Sequence, residues 1–324
     1  MSPALDLHDV LVVIPCLNEK AHLPALLATL DREAPSATIV VADGGSSDAS
    51  RAIVADHAAR NPNIRLLDNP KRLQSAGVNL AVDTFGDGKR WLVRMDAHCR
   101  YPPDYVAGLI AAASRSSANA VVVPMRSIGI GCFQRAAAAA QNSRLGTGGS
   151  PHRHVGTGSF VDHGHHALFE IDRFRALGGY DESFSHNEDA EFDHRQALSG
   201  ARLWLEPALA LDYLPRSSPA ALFRQYRHYG QGRARTIRLH RMPIKARQLL
   251  PLGVAPAVAI LPVAPWFPAA AIPAACWAGI ALSYGVVIGL RANDRCAMLS
   301  GVAAMVSHLA WSVGFLREAI RPRA

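Results

Sequence analysis

The chain predicts an α/β fold with a mostly parallel, Rossmann-like sheet, followed by C-terminal transmembrane helices. Three observations carry this. Val-rich apolar runs alternate with helical patterns over residues 10–125, acidic turns stand where several of those runs end, and two long stretches near the C terminus are almost free of charge. Continuous apolar runs mark strands covered on both faces, and repeated strand–helix alternation builds parallel sheets.

Residues 10–15 and 37–42 read as the first two strands. Between them, residues 19–33 carry Leu23, Leu26, Leu27 and Leu30 at helical spacing and stop near Pro35. Residues 48–60 form a second helix, 64–67 a third strand and 74–84 a third helix. Residues 90–94 form a fourth strand that delivers Asp96, 103–115 a helix, and 120–125 a fifth strand ending at Pro124. The rhythm then changes to an alanine-rich helix at 135–141 and a Gly/Thr/Ser/His loop at 146–159, whose composition is that of a mobile segment. A helix at 187–199, with Phe192 and Leu198 on its buried face, and a short strand at 203–206 complete the domain. The expected organisation is an α/β domain over 1–212, a basic amphipathic segment over 213–248, a membrane region of two or three spans over 249–316, and a tail over 317–324.

The chain has 324 residues and a formal net charge of +8, unevenly placed. Residues 213–293 contain no carboxylate, while 216–247 hold nine Lys and Arg. Directly after them, residues 249–290 carry no charged residue or His, and 296–316 are interrupted only by His308. Each run reaches the roughly 20 apolar residues that cross a bilayer. Lys and Arg collect on cytoplasmic flanks, so the N-terminal domain is expected at the cytoplasmic face of the inner membrane. The basic residues border a membrane segment and no nucleic-acid motif accompanies them, which argues against nucleic-acid binding. Residues 1–9 show no basic stretch followed by an apolar core, so no cleavable signal peptide is expected. The five scattered cysteines, Cys16, Cys99, Cys132, Cys276 and Cys296, read as buried free thiols.

The chemistry concentrates at the strand ends, where an open α/β sheet places its ligand crevice. Pro15-Cys16-Leu17-Asn18-Glu19 closes the first strand and Asp43-Gly44-Gly45-Ser46-Ser47-Asp48 the second. A carboxylate there accepts hydrogen bonds from a base N–H or a ribose hydroxyl, a role that suits Asp43 and, less strongly, Glu19. For Asp43, shaping its own turn is an equal alternative; for Asp48, capping a helix is the preferred one. Asp96-Ala97-His98 sets two metal-ligating side chains on alternate residues, where Mg²⁺ or Mn²⁺ could bridge a diphosphate, with histidine favouring Mn²⁺. Asn187-Glu188-Asp189 opens a helix, so one carboxylate, Asp189 ahead of Glu188, is placed to deprotonate an acceptor hydroxyl. His152, His154, His163, His165 and His166 crowd one glycine-rich region, but such a loop gives no fixed zinc geometry; His163-Gly164-His165-His166 fits the acceptor side or a strand edge. Phe223, Tyr226, Tyr229 and Ile237 alternate with Arg224, Arg227, Arg233 and Arg235, as in a helix lying in the membrane interface, though the same arginines could clamp a diphosphate.

Taken in order, these motifs resemble family 2 glycosyltransferases of GT-A fold and, within them, the ExoA-type succinoglycan-biosynthesis glycosyltransferases, over about residues 10–235. The resemblance implies that Pro15, Asn18, Glu19, Asp43, Gly45, Arg72, Gln74 and Asp96 bind the nucleotide-sugar. It implies that Asp96 and His98, in place of the family's DxD, hold a divalent Mn²⁺ or Mg²⁺. It makes Glu188 and Asp189 the base motif, with Gly179, Tyr180, Asp181, Gln225 and Arg227 on the acceptor or diphosphate side. Gln225-Tyr226-Arg227-His228-Tyr229 matches the Gln-x-x-Arg-Trp of processive synthases only in part. The expected activity is inverting transfer of a sugar, glucose from a UDP-glucose donor, to a polyprenyl-diphosphate-linked oligosaccharide, alongside other exopolysaccharide-assembly enzymes. A processive polysaccharide synthase and a non-catalytic, membrane-anchored nucleotide-sugar-binding protein are the alternatives.

Overall fold

The computed structural model describes residues 7–148 and 157–321. His152, His154 and most of the loop expected at 146–159 lie outside the described residues. The chain divides into two compact units: unit 1 is Met1–Met125 with Val155–Asp212, and unit 2 is Arg126–His154 with Tyr213–Ala324.

In unit 1 the strands are β1 (Val10–Cys16), β2 (Thr38–Asp43), β3 (Ile64–Asp68), β4 (Trp91–Arg94) and β5 (Ala120–Val123). Later in the chain come β6 (Met125–Ser127), at the unit boundary, β7 (Ser159–Val161), β8 (His165–Glu170), β9 (Leu203–Leu205) and β10 (Leu211–Tyr213). Eight of them form one sheet in the order β3-β2-β1-β4-β8-β5-β9-β7. β1 pairs in parallel with β2 and β4, whereas β8 runs antiparallel to both β4 and β5. The helices are α1 (Leu23–Glu33), α2 (Ser50–Ala58), α3 (Gln74–Phe85), α4 (Tyr105–Ser116), α7 (Ile171–Ala176) and α8 (Glu188–Leu198). Every residue of β1 is buried, as its unbroken apolar run requires. The core joins Leu11, Val13, Val40 and Leu92 to an aromatic group of Phe169, Phe174, Tyr180 and Phe192.

Unit 2 contains α5 (Cys132–Gln141), α6 (Arg144–Thr147), α9 (Pro219–His240), α10 (Ala246–Leu252), α11 (Val254–Ala259), α12 (Ile272–Ala292) and α13 (Ser300–Ala319). Two helical stretches, Pro268–Ala292 and Ala297–Ala319, are long and apolar enough to cross a membrane. α9 and α13 touch backbone to backbone: a Cβ added at Gly314 would lie 2.0 Å from the Arg227 carbonyl oxygen, and one at Gly230 would lie 2.1 Å from that of Trp311. Ala136, Ala137 and Ala140 of α5, Leu222 of α9, and Ala303 and Ala304 of α13 share one small-residue cluster.

Two expectations are corrected. Leu198 is 74% exposed, because α8 ends there and only its earlier turns face the sheet; Phe192 is fully buried. The cysteines are not all buried free thiols: Cys132 and Cys296 are disulfide-bonded, Cys276 is exposed, and only Cys16 and Cys99 are both free and buried. The pair is 164 residues apart in sequence, a closeness that spacing cannot reveal.

Candidate active site

The site is built where β1, β2 and β4 end and α8 begins. The loops after β1 and β2 are stitched together: the Asn18 side-chain oxygen accepts from Ser47 N at 2.8 Å, and Asn18 N donates to Ser46 Oγ at 2.8 Å. Asn18 itself takes the left-handed conformation, φ 58°, which asparagine tolerates better than most residues. Asp43 is buried and accepts from Gly45 N, Ser46 N and Arg51 Nη1. Burial alone would raise its pKa, but Ser46, Arg51 and the turn amides outweigh that and hold it low. Asp48 accepts from Ser50 N at 2.9 Å in the turn before α2 and from Lys20 N at 3.1 Å in the loop after β1, so it joins the two loops. The N-cap of α2 is Ala49, which makes no side-chain cap bond, and Asp48 is not the helix cap expected of it. Pro15 lies on β1 beside Ala42, one residue before the strand end, and Arg72 is exposed with φ 57° just before α3.

Around Asp96 the sequence reading missed a central residue, Arg94. Its buried guanidinium reaches Asp96 Oδ1 at 3.6 Å, Glu188 Oε1 at 3.3 Å and Gln74 Oε1 at 3.1 Å, and lies over the Tyr180 ring at 5.6 Å. Gln74 also donates to Asp96 Oδ1 at 3.3 Å, so Gln74, Asp96 and Glu188 meet at one cation. A basic residue just inside a strand end and two positions before an aspartate was the only available signal. Tyr101 was also missed; its hydroxyl brackets the Asp96 backbone, accepting from N at 2.6 Å and donating to O at 3.0 Å.

Glu188 and Asp189 sit in unlike surroundings. Glu188 is 6% exposed, and burial pushes its pKa up against the opposing pull of Arg94. Asp189 is partly exposed; burial raises it too, but His163, His166 and Arg94 outweigh that and hold it below the usual range. Asp189 is therefore the accessible member of the pair, and the one whose surroundings favour the ionised form. Beneath it lies a buried network: Asp193 accepts from His163 Nδ1 at 2.7 Å and His166 Nε2 at 2.8 Å, and His166 Nδ1 meets the Tyr180 hydroxyl at 2.7 Å. Burial would raise Asp193, yet His166 and His163 pull it down to about 2. His165 and His166 open β8, an interior strand between β4 and β5, so this run does not lie at a sheet edge; His163 and His166 serve the Asp193 carboxylate.

Tyr180 is buried in the aromatic core, under Arg94. Gly179 holds φ 66°, and an added Cβ would meet Asn79 Oδ1 at 2.5 Å, so the turn admits only glycine. Asp181 accepts from Ser183 N at 2.9 Å. Gln225 and Arg227 belong to unit 2, where Gln225 donates to the Tyr213 and Tyr229 hydroxyls at 2.8 and 3.0 Å.

A divalent cation fits here only with ligands from a substrate. His98 Nδ1 is engaged by Glu19 Oε1 at 3.1 Å, and His165 Nε2 lies 3.9 Å from Asp96 Oδ2. Burial pushes His165 down to about 4, so its ring is neutral at pH 7. Among the described residues no three His, Cys, Asp or Glu side chains gather as a ready ion site. Mg²⁺ and Mn²⁺ sites commonly use one or two protein ligands with substrate phosphates, a set that Asp96 and His98 Nε2 fit while Glu19 orients the ring at Nδ1.

Residues 11–177 match the family described as Glycosyl transferase family 2. The chain is also 48% identical, over 312 residues covering 95% of it and 94% of the relative, to the succinoglycan biosynthesis protein ExoA of Rhizobium meliloti (strain 1021). The chain belongs to glycosyltransferase family 2. A shorter match, 33% identical over 115 residues (33% of this chain and 34% of the relative), is to the undecaprenyl-phosphate 4-deoxy-4-formamido-L-arabinose transferase of Aeromonas hydrophila. Among solved structures, a Pyrobaculum calidifontis mannosyltransferase in complex with GDP-Man and Mn²⁺ superposes with a TM-score of 0.59 at 18% identity, over 92% of this chain and 85% of that one. GalNAc-T7 with UDP, GalNAc and Mn²⁺ gives 0.50 at 17%, over 68% and 47%. These likenesses show the GT-A fold for this glycosyltransferase, with its mostly parallel sheet and apolar C-terminal helices.

Proposed function

We propose that this glycosyltransferase moves a hexose, glucose from UDP-glucose, with inversion onto a polyprenyl-diphosphate-linked oligosaccharide during exopolysaccharide assembly, with its catalytic unit at the cytoplasmic face of the inner membrane. The observation that carries the reading is the single cation Arg94, which gathers Asp96 of the donor side and Glu188 of the base motif. The 48% identity to a succinoglycan biosynthesis protein, over 95% of this chain and 94% of that one, supports the pathway class. The partial match to an undecaprenyl-phosphate sugar transferase supports a lipid-linked acceptor.

In this reading the loops after β1 and β2, with Pro15, Asn18, Glu19, Asp43 and Gly45, cradle the nucleotide, and Arg72 and Gln74 approach the phosphates. Asp96 and His98 would hold a divalent cation, which when bound would supply Lewis-acid stabilisation of the leaving diphosphate. Asp189 accepts the proton of the acceptor hydroxyl as its oxygen attacks the anomeric carbon. One displacement needs no enzymic nucleophile, so configuration inverts. Tyr180 and Gly179 act from below, Tyr180 by lying under Arg94 and against Phe192 and Gly179 by accepting from Arg195 of α8, and Asp181 shapes the adjoining turn. Incubating membranes that carry the enzyme with radiolabelled UDP-glucose tests the reading: label should enter the lipid fraction only with acceptor and divalent metal present. Label entering with another nucleotide-sugar and not with UDP-glucose would reassign the donor.

A further inference from the structure

α13 passes for a membrane span by length and composition, yet its surroundings differ from those of α12. Half of its most apolar stretch is buried inside the protein, against 17% for α12. What buries most of it is α9; α12 meets its first turn at Gly301 and, through Trp277 Nε1, His308 at 3.4 Å, and α10 accepts from Ser312 Oγ at the Leu252 carbonyl. α9 and α13 run side by side from Leu222 beside Ala303 and Ala304, through the close Gly230–Trp311 and Arg227–Gly314 contacts, to Arg238, whose guanidinium donates to the Glu318 and Arg321 carbonyls at 2.5 and 3.1 Å. α9 carries Arg224, Arg227, Arg233, Arg235 and Arg238 and no carboxylate. Its 22 residues span about 33 Å, close to the thickness of a bilayer's hydrocarbon core. If α13 crossed the membrane, α9 would cross beside it and carry five arginines through hydrocarbon, where each is costly.

The ends of α13 are tied down as well. Asp294 and Cys296, in the turn before it, meet α5 through the Arg135 ion pair at 2.6 Å and the bond to Cys132. The ion pair holds this contact whether or not the sulfurs are oxidised. α5 lies in the stretch Arg126–His154, which is flanked in sequence on both sides by unit 1. The far end of α13 rests on the end of α9 through Arg238 and Glu318 at 3.6 Å.

We propose that α13 is an in-plane interfacial helix paired with the basic α9, so that both its ends stay on the catalytic side of the membrane and only residues 249–290 enter the bilayer. This differs from both arrangements that hydropathy alone offers, in each of which residues 296–316 cross. It also places Arg291, Arg295, Arg317 and Arg321 on one side, the distribution that basic residues adopt around bacterial spans. The surface this presents is an arginine-bearing helix at headgroup level, suited to anionic lipid, with the charge-free residues beyond it in the acyl chains.

The inference rests on the membrane attachment proposed above, and carbonate extraction tests that attachment separately. Recovery in the soluble fraction would end the attachment reading, whatever the topology. For α13 itself, Ala292→Cys and Ile320→Cys, both at exposed positions, are placed singly in a full-length Cys276→Ser background and compared with that parent. A membrane-impermeant maleimide added to sealed cells should label neither above the parent, and both should label once the membranes are opened. Labelling of Ile320→Cys from outside would mean that α13 exits, and labelling of Ala292→Cys that the preceding turn does. Failure of either to label in opened membranes would remove it from the aqueous interface. Each of these three results overturns the proposal.

Discussion

In unit 1, buried charges meet specific partners: Arg94 is shared by Asp96, Glu188 and Gln74, and Asp193 by His163 and His166. In unit 2, helices meet through the absence of side chains, with Gly230 and Gly314 letting the α9 and α13 backbones touch. The first arrangement suits chemistry, since preorganised charges hold a carboxylate in a set ionisation state. The second suits attachment, since small residues give close packing without polar groups that lipid cannot satisfy. Substitutions in the two units should therefore fail in different ways.

The largest effect is expected at Asp96. Asp96→Ala should leave no measurable metal-dependent transfer, and EDTA should silence the parent enzyme. His98→Ala should recover in part with excess Mn²⁺, because one protein ligand and the diphosphate remain. Full activity in EDTA, with no metal found by elemental analysis, would end the metal assignment.

Arg94→Met should be nearly as severe but through stability, costing about 3–5 kcal/mol by leaving Glu188 and Asp96 buried without their cation. Thermal unfolding in detergent reads this. An unchanged melting temperature would mean that the three side chains do not depend on Arg94.

Asp189→Asn keeps shape and removes basicity, so transfer should fall roughly 10²-fold or more with UDP binding nearly intact. Near-parent turnover would move the base to Glu188. Gly314→Val tests the other unit: forcing α13 off α9 should cost about 3 kcal/mol, the upper end for overpacking, while UDP binding by solubilised protein stays at the parent level. Loss of UDP binding in that variant would dissolve the contrast between the two units.

The smallest effect is pH-dependent. Asp193 titrates near 3.8 when unfolded and about 2 when folded, so its partners contribute about 2 kcal/mol above the unfolded value, lost as pH falls through the folded one. The stability gap between the parent and Asp193→Asn should be full at pH 5 and shrink toward pH 2. A gap that stays constant with pH would mean that Asp193 acts through packing alone.

Local pattern was enough to determine much of this protein. Short apolar runs bounded by turn residues and alternating with helical patterns marked β1 to β5 as strands, so a mostly parallel sheet was legible. The order Asp43, Asp96, Glu188–Asp189 and the charge-free C-terminal runs were likewise readable, because each is a short-range signal. Tertiary structure alone decided what joins distant residues: Arg94 to Glu188, His166 to Tyr180 and Asp193, Cys132 to Cys296, and α9 to α13. β8 is the instructive case. It enters between β4 and β5 in the opposite direction and carries His165 toward Asp96, and nothing in its own six residues says which strands it will separate. A pairing partner and a buried charge's neighbour are long-range properties, set when the sheet closes and the chain must satisfy every polar group it has buried.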